Sequence, residues 1–431
     1  MEDKLLEILF ERDRWMTALE KAVAKGNIKE ATFRRWSDPG NRAMLMSLIH
    51  LRAYEVRRPH TAKIPKDNGE FRTVYANDDD DRILFSIIND MFFQLTPDMI
   101  HPNSVAYQTG IGCGKVVKDI SSQITKYSQQ MEVVGWKADL SKYFDSVPIE
   151  YIDGAFDELQ RRFGKSAVID LVRTYYHSDL YYDSEAKCEK HKYQSLKQGC
   201  AVASWLANVI LYHIDEKLSQ MNILYKRYCD DIIAIGPDYE KAMTVLATEL
   251  GKMQMQLNPK KVEYITKDKW FKFLGFAIKG DMISLGGNRI KSFEKEIMKR
   301  TIDQIRNGIT YKQALNSVNN WMYRGNGEFS WATGVLKVIN SQQDVNRLNA
   351  FVLDCLRAVI VGKPVKKSDI GGLGWVRINA ENGCIDRGKG KKVRTWRIKT
   401  GDDLEGYHSV KCMQNALIFS RDLYDTLVRG M

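Results

Sequence analysis

The stretch Ile223-Leu224-Tyr225-Lys226-Arg227-Tyr228-Cys229-Asp230-Asp231-Ile232-Ile233-Ala234-Ile235-Gly236 decides the fold. Apolar and β-branched residues flank two adjacent aspartates on both sides, which reads as a hairpin with the carboxylates at its tip. A second element ends in the same way. Val133-Val134-Gly135-Trp136-Lys137-Ala138-Asp139 is a mostly apolar strand closing on an aspartate, followed by Leu140-Ser141-Lys142-Tyr143-Phe144-Asp145. If the two elements pair side by side, three carboxylates converge at one edge of a sheet. Gathering them is unfavourable unless cations neutralise them, and hard oxygen ligands suit Mg²⁺. Two such ions, about 3.5–4 Å apart, are a common device for in-line phosphoryl displacement.

Acid content alone is not the signal. Asp78-Asp79-Asp80-Asp81 is richer in carboxylates, yet it lacks flanking strands and leads into a helical run from Arg82. It reads as a helix N-terminus with acids placed favourably in the helix dipole.

Outward from the hairpin, residues 64–287 alternate short strands with helices, whereas residues 1–58 read as helices. Leu5, Leu6, Ile8, Leu9, Met16 and Leu19 recur near helical spacing, and a turn at Ser37-Asp38-Pro39-Gly40 precedes a further apolar helix from Arg42. A basic, largely helical stretch covers 289–361. From residue 363 to 399 there are eleven Lys/Arg against three acids, interleaved with glycines, Trp375 and Trp396. Such a surface suits phosphate tracking with stacking platforms, and a merely solvated face is the competing reading.

The 431 residues suffice for two or three compact units, and the formal charge of +11 favours polyanionic partners. Seven dispersed cysteines with no C-x-x-C pair argue against a disulfide framework or zinc module. With no apolar signal core and no apolar run of membrane-spanning length, the expectation is a reduced, soluble protein of the cytoplasm with no membrane partner.

Six blocks, in order, resemble the reverse-transcriptase family over roughly residues 60–350. Tyr228-Cys229-Asp230-Asp231 looks like its Tyr-x-Asp-Asp signature, and Asp139 with Phe144 like its first palm motif. Gln198-Gly199 with the helix from Trp205 to Leu211 looks like the support for nucleotide and template. Ile64-Pro65-Lys66 through Gly69 and Arg72, then Asp81-Arg82-Ile83-Leu84, resembles the fingers. Leu257-Asn258-Pro259-Lys260-Lys261 and Phe273-Leu274-Gly275-Phe276 resemble the last palm motifs. The resemblance implies an α+β right-hand polymerase of fingers, palm and thumb, with an antiparallel palm sheet, a helical thumb and a small basic C-terminal extension. The corresponding boundaries are 1–58 for the helical region, 59–287 for fingers and palm, 288–362 for the thumb and 363–431 for the extension.

It also implies roles. Asp139 and Asp230 would ligand both Mg²⁺ ions and Asp231 would be secondary. Arg72, with Lys63 or Lys66, would clamp the triphosphate, unless Arg72 is only a surface ion pair. Phe144 is either a steric gate against the 2′-hydroxyl or plain core packing. Lys261, rather than Lys260, fits the lysine that protonates pyrophosphate, with a solvated lysine pair as the alternative. Phe273, Leu274, Gly275 and Phe276 would form the primer grip or serve as a core strand. Lys389, Lys391, Lys392, Arg394, Trp396 and Arg397 are the candidate nucleic-acid contacts of the extension.

Lys197 before Gln198, Cys200 after Gly199 and the divergent segment 102–108 depart from typical group II intron and retroviral enzymes. With the unusual tail they resemble the bacterial unknown-group or defence-associated reverse transcriptases, type 2 among them. That likeness implies a structured non-coding RNA as template, dNTP substrates, a cDNA product and a part in resisting phage. The competing functions are untemplated or protein-primed DNA synthesis, a group II intron-like enzyme, and a non-enzymatic RNA scaffold. The scaffold reading has no use for clustered acids facing a polyanion. Template, priming mode and oligomeric state are not readable from the sequence.

Overall fold

Leu5, Leu6 and Leu9 on Lys4–Leu9 (α1), and Trp15 and Leu19 on Arg12–Ala24 (α2), recur at helical spacing and are all buried. Glu30–Ser37 (α3) and Pro39–His50 (α4) follow, separated by Asp38 alone. The Asp38 carboxylate accepts the N–H groups of Gly40 and Asn41 while Pro39 takes the first helical position. This helix therefore starts three residues before Arg42, where the apolar pattern had placed it, because the cap sets the boundary.

The computed structural model describes residues 3–65, 70–192, 194–325, 330–361, 370–378 and 391–398. The chain divides into two compact units, Met1–Gly112 with Lys126–Lys269, and Cys113–Thr125 with Trp270–Met431. The 59–287 span is thereby shared between both.

In the first unit, His60–Pro65 (β1) and Phe71–Ala76 (β2) form an antiparallel hairpin. Asp79–Leu95 (α5) then buries Ile83, Leu84, Phe85, Ile87, Ile88, Met91 and Phe92. The sheet that carries the acids has the order β6-β7-β3-β8, with every neighbour antiparallel: Val134–Asp139 (β3), Leu224–Tyr228 (β6), Asp231–Ile235 (β7) and Glu263–Thr266 (β8). A second sheet, β2-β1-β4-β5, adds Leu180–Asp183 (β4) and Cys188–His191 (β5) to the first hairpin, β4 through one parallel bridge.

The covering helices are Tyr143–Ser146 (α7), Ile149–Phe163 (α8), Ala167–His177 (α9), Ala203–Val209 (α10), Tyr212–Ser219 (α11) and Tyr239–Lys252 (α12). Trp15, Phe92, Trp136, Phe156, Tyr176 and Trp205 share one continuous core that runs from the N-terminal helices to α12. The N-terminal helices are therefore packed into the same unit as the acid-bearing sheet.

The second unit contains Cys113–Tyr127 (α6), the strands Phe271–Phe273 (β9), Phe276–Lys279 (β10) and Met282–Leu285 (β11), and the helices Gly287–Arg300 (α13), Tyr311–Asn319 (α14) and Gln342–Val361 (α15). Trp321, Phe293 and Trp331 form an aromatic cluster there, with the Arg300 guanidinium over the Trp321 ring. Trp321 is thus a packing residue. Ile370–Ile378 (β12) and Lys391–Ile398 (β13) pair as an antiparallel hairpin.

The α+β class, the antiparallel sheet under the acids and the helical 289–361 stretch agree with the sequence reading. Among the described residues no helix is long and apolar enough to cross a membrane.

Candidate active site

The carboxylates meet because two strand registers agree. β3 pairs with β7 so that Asp139 lies directly opposite Asp231. β6 pairs with β7 so that Tyr228 lies opposite Asp231, leaving Cys229 and Asp230 as a two-residue turn. Cys229 has φ +59° and Asp230 is not in the positive-φ region, the signature of a type II′ hairpin. Glycine is the usual residue there. A cysteine holds that conformation only where its surroundings over-determine it.

Several bonds fix the tip. The Leu140 N–H donates to the Asp230 carbonyl at 3.1 Å, and the Asn258 N–H donates to the Asp139 carbonyl at 2.8 Å. The Tyr107 hydroxyl donates to Cys229 Sγ at 3.3 Å. Lys261 Nζ lies 2.6 Å from Asp139 Oδ2. Lys261, not the neighbouring Lys260, therefore reaches the acids.

The electrostatics are those of a cluster short of positive charge. Burial raises the Asp230 pKa, and the Asp139 charge raises it further. The Asp231 carboxyl is pushed up to about 6 by burial, then by Asp230 and Asp139. Among the described residues no three His, Cys, Asp or Glu side chains form a ready metal cage. What fits a cation here is the hard-oxygen donor set and its mutual repulsion, which a divalent ion relieves.

Around the acids, Phe144 is half-buried on α7, edge-on to Tyr143 with ring centroids 5.7 Å apart. Its carbonyl accepts a bond from the Ser195 hydroxyl at 3.0 Å. The Gln198 carbonyl accepts the Tyr75 N–H of β2 at 2.7 Å. Gly199 follows at φ +114°, and a Cβ there would stand 2.7 Å from the Tyr75 carbonyl oxygen. Only glycine lets this segment approach β2 so closely.

Just before it, Lys197 is buried. Its ammonium donates to the carbonyls of Tyr175 and Ser178 at the C-terminal end of α9 and lies over the Tyr175 ring. Burial lowers its pKa to about 8. A protonated lysine suits a helix C-terminus, which explains how the departure from proline is accommodated.

The other sequence candidates are placed as follows. Arg72 is exposed on β2, opposite Ile64 of β1. Lys63 on β1 is paired with Glu185 at 2.6 Å, and Lys66 lies outside the described residues. Phe273 and Phe276, both buried, face each other across a two-residue turn in the second unit, where Leu274 and Gly275 have φ +50° and +79°. The two phenylalanines are packing residues, and only Leu274 and Gly275 form the turn. In the C-terminal hairpin Lys391 is opposite Ile378, Lys392 opposite Arg377, Arg394 opposite Trp375, Trp396 opposite Leu373 and Arg397 opposite Gly371. Lys389 lies outside the described residues. Tyr107 went unnoticed in the sequence. Its φ of +61° is a backbone property that no pattern of residue types announces.

An antiparallel sheet that brings paired aspartates to a hairpin tip is the site of a metal-dependent nucleotidyl-transfer enzyme of the polymerase class. Residues 64–278 match the family model "Reverse transcriptase (RNA-dependent DNA polymerase)". These residues form a reverse transcriptase domain, and by that domain the chain belongs to the reverse transcriptase family. No curated protein matches the sequence. Among solved structures, the chain is similar to telomerase from Candida albicans in complex with a TWJ fragment of telomeric RNA, at a TM-score of 0.41 and 10% identity. The match covers 75% of this chain and 61% of that one.

Proposed function

We propose that the chain copies RNA into DNA by two-metal nucleotidyl transfer at Asp139, Asp230 and Asp231. The observation that carries this is the register that sets Asp139 opposite Asp231 with Asp230 in the adjoining turn. Asp139 and Asp230 would hold two magnesium ions and Asp231 one of them, and bound magnesium supplies charge stabilisation to the attacking and leaving oxygens. Lys261 neutralises Asp139 in their absence and is placed to donate a proton to departing pyrophosphate. Phe144 lies five residues past Asp139, where an aromatic ring can exclude a 2′-hydroxyl.

The template is proposed to be a structured non-coding RNA and the setting antiviral defence in a bacterium. Support for this comes from Lys197 and Cys200 around Gln198-Gly199, the divergent 102–108 segment and the basic extension beyond residue 362.

The deciding experiment incubates purified protein with an RNA template, primer, dNTPs and Mg²⁺ and sequences the product. A product complementary to the RNA is expected. A product unrelated to any template would replace this reading with untemplated synthesis. Sequencing the RNA that copurifies identifies the natural template, and loss of phage resistance in an Asp230→Ala strain tests the defence role. Phe144→Ala is expected to raise rNTP incorporation relative to dNTP by at least about tenfold. Unchanged discrimination would remove the gate assignment.

A further inference from the structure

We infer that Arg227, locked by Asp215, is a positioning residue that sets where Asp230 and Asp231 stand. The inference rests on the polymerase reading above.

Arg227 lies on β6 two residues before the acidic turn, and its side chain is 1% exposed, with that of Asp215 at 0%. All five of its N–H groups are engaged. Nε and Nη2 hold the Asp215 carboxylate at 2.7 and 2.6 Å. Nη1 donates to the Ala207 carbonyl at 3.0 Å and to the Cys229 carbonyl at 3.2 Å, and Nη2 to the Asn208 carbonyl at 3.0 Å. Asp215 is completed by the Tyr225 hydroxyl at 2.6 Å.

The bond to Cys229 is the informative one. The Cys229 carbonyl and the Asp230 N–H belong to one planar peptide unit, so fixing the carbonyl fixes the direction in which Asp230 leaves the turn. Cys229 is also the residue at φ +59°, a conformation that needs outside support. Arg227 supplies that support from within the core.

The same node reaches the other walls of the site. Ala207 O also accepts the Tyr143 hydroxyl at 2.8 Å, and Tyr143 is the neighbour of Phe144. Asn208 holds the 104–106 segment, accepting from Ser104 Oγ at 2.7 Å and donating to Ala106 O at 3.0 Å. The β6 backbone is bonded to Asn103 and Val105, and Tyr107 bonds the Cys229 thiol. Four separate segments therefore take their spacing from one guanidinium.

A buried ion pair retained for stability alone has no need of the turn, since apolar residues of similar volume often serve as well. That contrast supplies the test. Arg227→Lys keeps a cation on Asp215 but cannot span to Cys229, Ala207 and Asn208 together. The triple variant Arg227→Met, Asp215→Leu, Tyr225→Phe replaces the polar node with apolar groups and leaves no buried charge unpaired.

Each variant is measured for Tm, for kcat and KM with dNTP, and for Mn²⁺ affinity by electron paramagnetic resonance. Expected are a kcat lowered by about 10–100-fold at nearly unchanged KM, and Mn²⁺ bound several-fold more weakly. These losses are to persist in the triple variant although its Tm stays near the wild-type value. Wild-type kcat and Mn²⁺ affinity in a folded variant would overturn the inference and leave Arg227 a stabilising residue only. If the triple variant does not fold, Arg227→Lys decides. A wild-type protein inert towards every template would instead remove the polymerase reading, while the Mn²⁺ titration would still report whether Arg227 places the carboxylates.

Discussion

The molecule holds two clusters of aspartates, and their surroundings are opposite. At the start of α5 each acid is answered. Asp81 accepts the Tyr54 hydroxyl at 2.6 Å and the Arg57 N–H at 2.9 Å, and Asp80 accepts the Trp36 indole at 2.8 Å and Arg35 at 2.6 Å. Asp79 accepts the Lys29 N–H and pairs with Arg82. At the hairpin tip Asp139, Asp230 and Asp231 chiefly meet one another, with the Lys261 ammonium on Asp139. The first cluster ties the N-terminal helices to α5. The second is unfavourable as it stands and is completed by a ligand. Acids that join parts of a fold come with their donors, whereas acids that do chemistry are left wanting charge.

The strongest way to break this contrast is to remove one acid from each cluster. Asp230→Asn is expected to lower DNA synthesis at least about a thousandfold while leaving Tm unchanged or higher, because repulsion at the tip falls. A large drop in Tm in that variant would mean that the tip acids, too, hold the fold together. Asp81→Ala is expected to cost about 2–4 kcal/mol in urea unfolding, since it strands the buried donors of Tyr54 and Arg57. Wild-type stability of this variant would erase the difference between the clusters.

A third expectation concerns pH. The folded-state pKa of Asp231 is about 6, above its ordinary value of 3.8, so between those values the folded protein binds more protons than the unfolded one. This contribution to stability is present below about pH 4 and is lost as pH rises through 6. Metal-free wild type should therefore lose Tm relative to Asp231→Asn over that interval, and Mg²⁺ should restore it. Parallel Tm curves for the two proteins would show that Asp231 titrates normally. The smallest effect is expected at the half-exposed Asp79–Arg82 pair, where Arg82→Ala should cost about 0.5 kcal/mol or less. A cost several times larger would mark the pair as part of the joint with the N-terminal helices.

The hairpin tip was legible because its signal is local. Apolar runs on both sides of Asp230-Asp231 fix two strands, and the two-residue gap between them fixes the turn. The helix start at Asp78–Asp81 was legible for the same reason, although its role as a joint was not, because Tyr54, Arg35 and Trp36 are remote in sequence. The Arg227–Asp215 pair was hidden likewise, since it joins a strand to a helix and leaves no spacing pattern. The grouping of α6 with the second unit was also invisible. Its Ser121 hydroxyl bonds the Gly280 carbonyl, more than a hundred and fifty residues onward. Lys63 was expected at the nucleotide and is found on Glu185, because a charge run does not disclose its partner.

The two-residue turn at Cys229 and Asp230 also governs which changes of length the chain can survive. Alternation along β6 and β7 is a matter of parity. One residue added or deleted between Leu224 and Ile235 exchanges the faces of everything beyond it, sending Ile232 and Ala234 towards solvent and carrying Asp231 away from its place opposite Asp139. Conservative replacements in the same stretch leave the parity intact. The hairpin is therefore far more tolerant of altered chemistry than of an altered count, and a single inserted or lost codon there does more harm than several missense changes in the apolar strands.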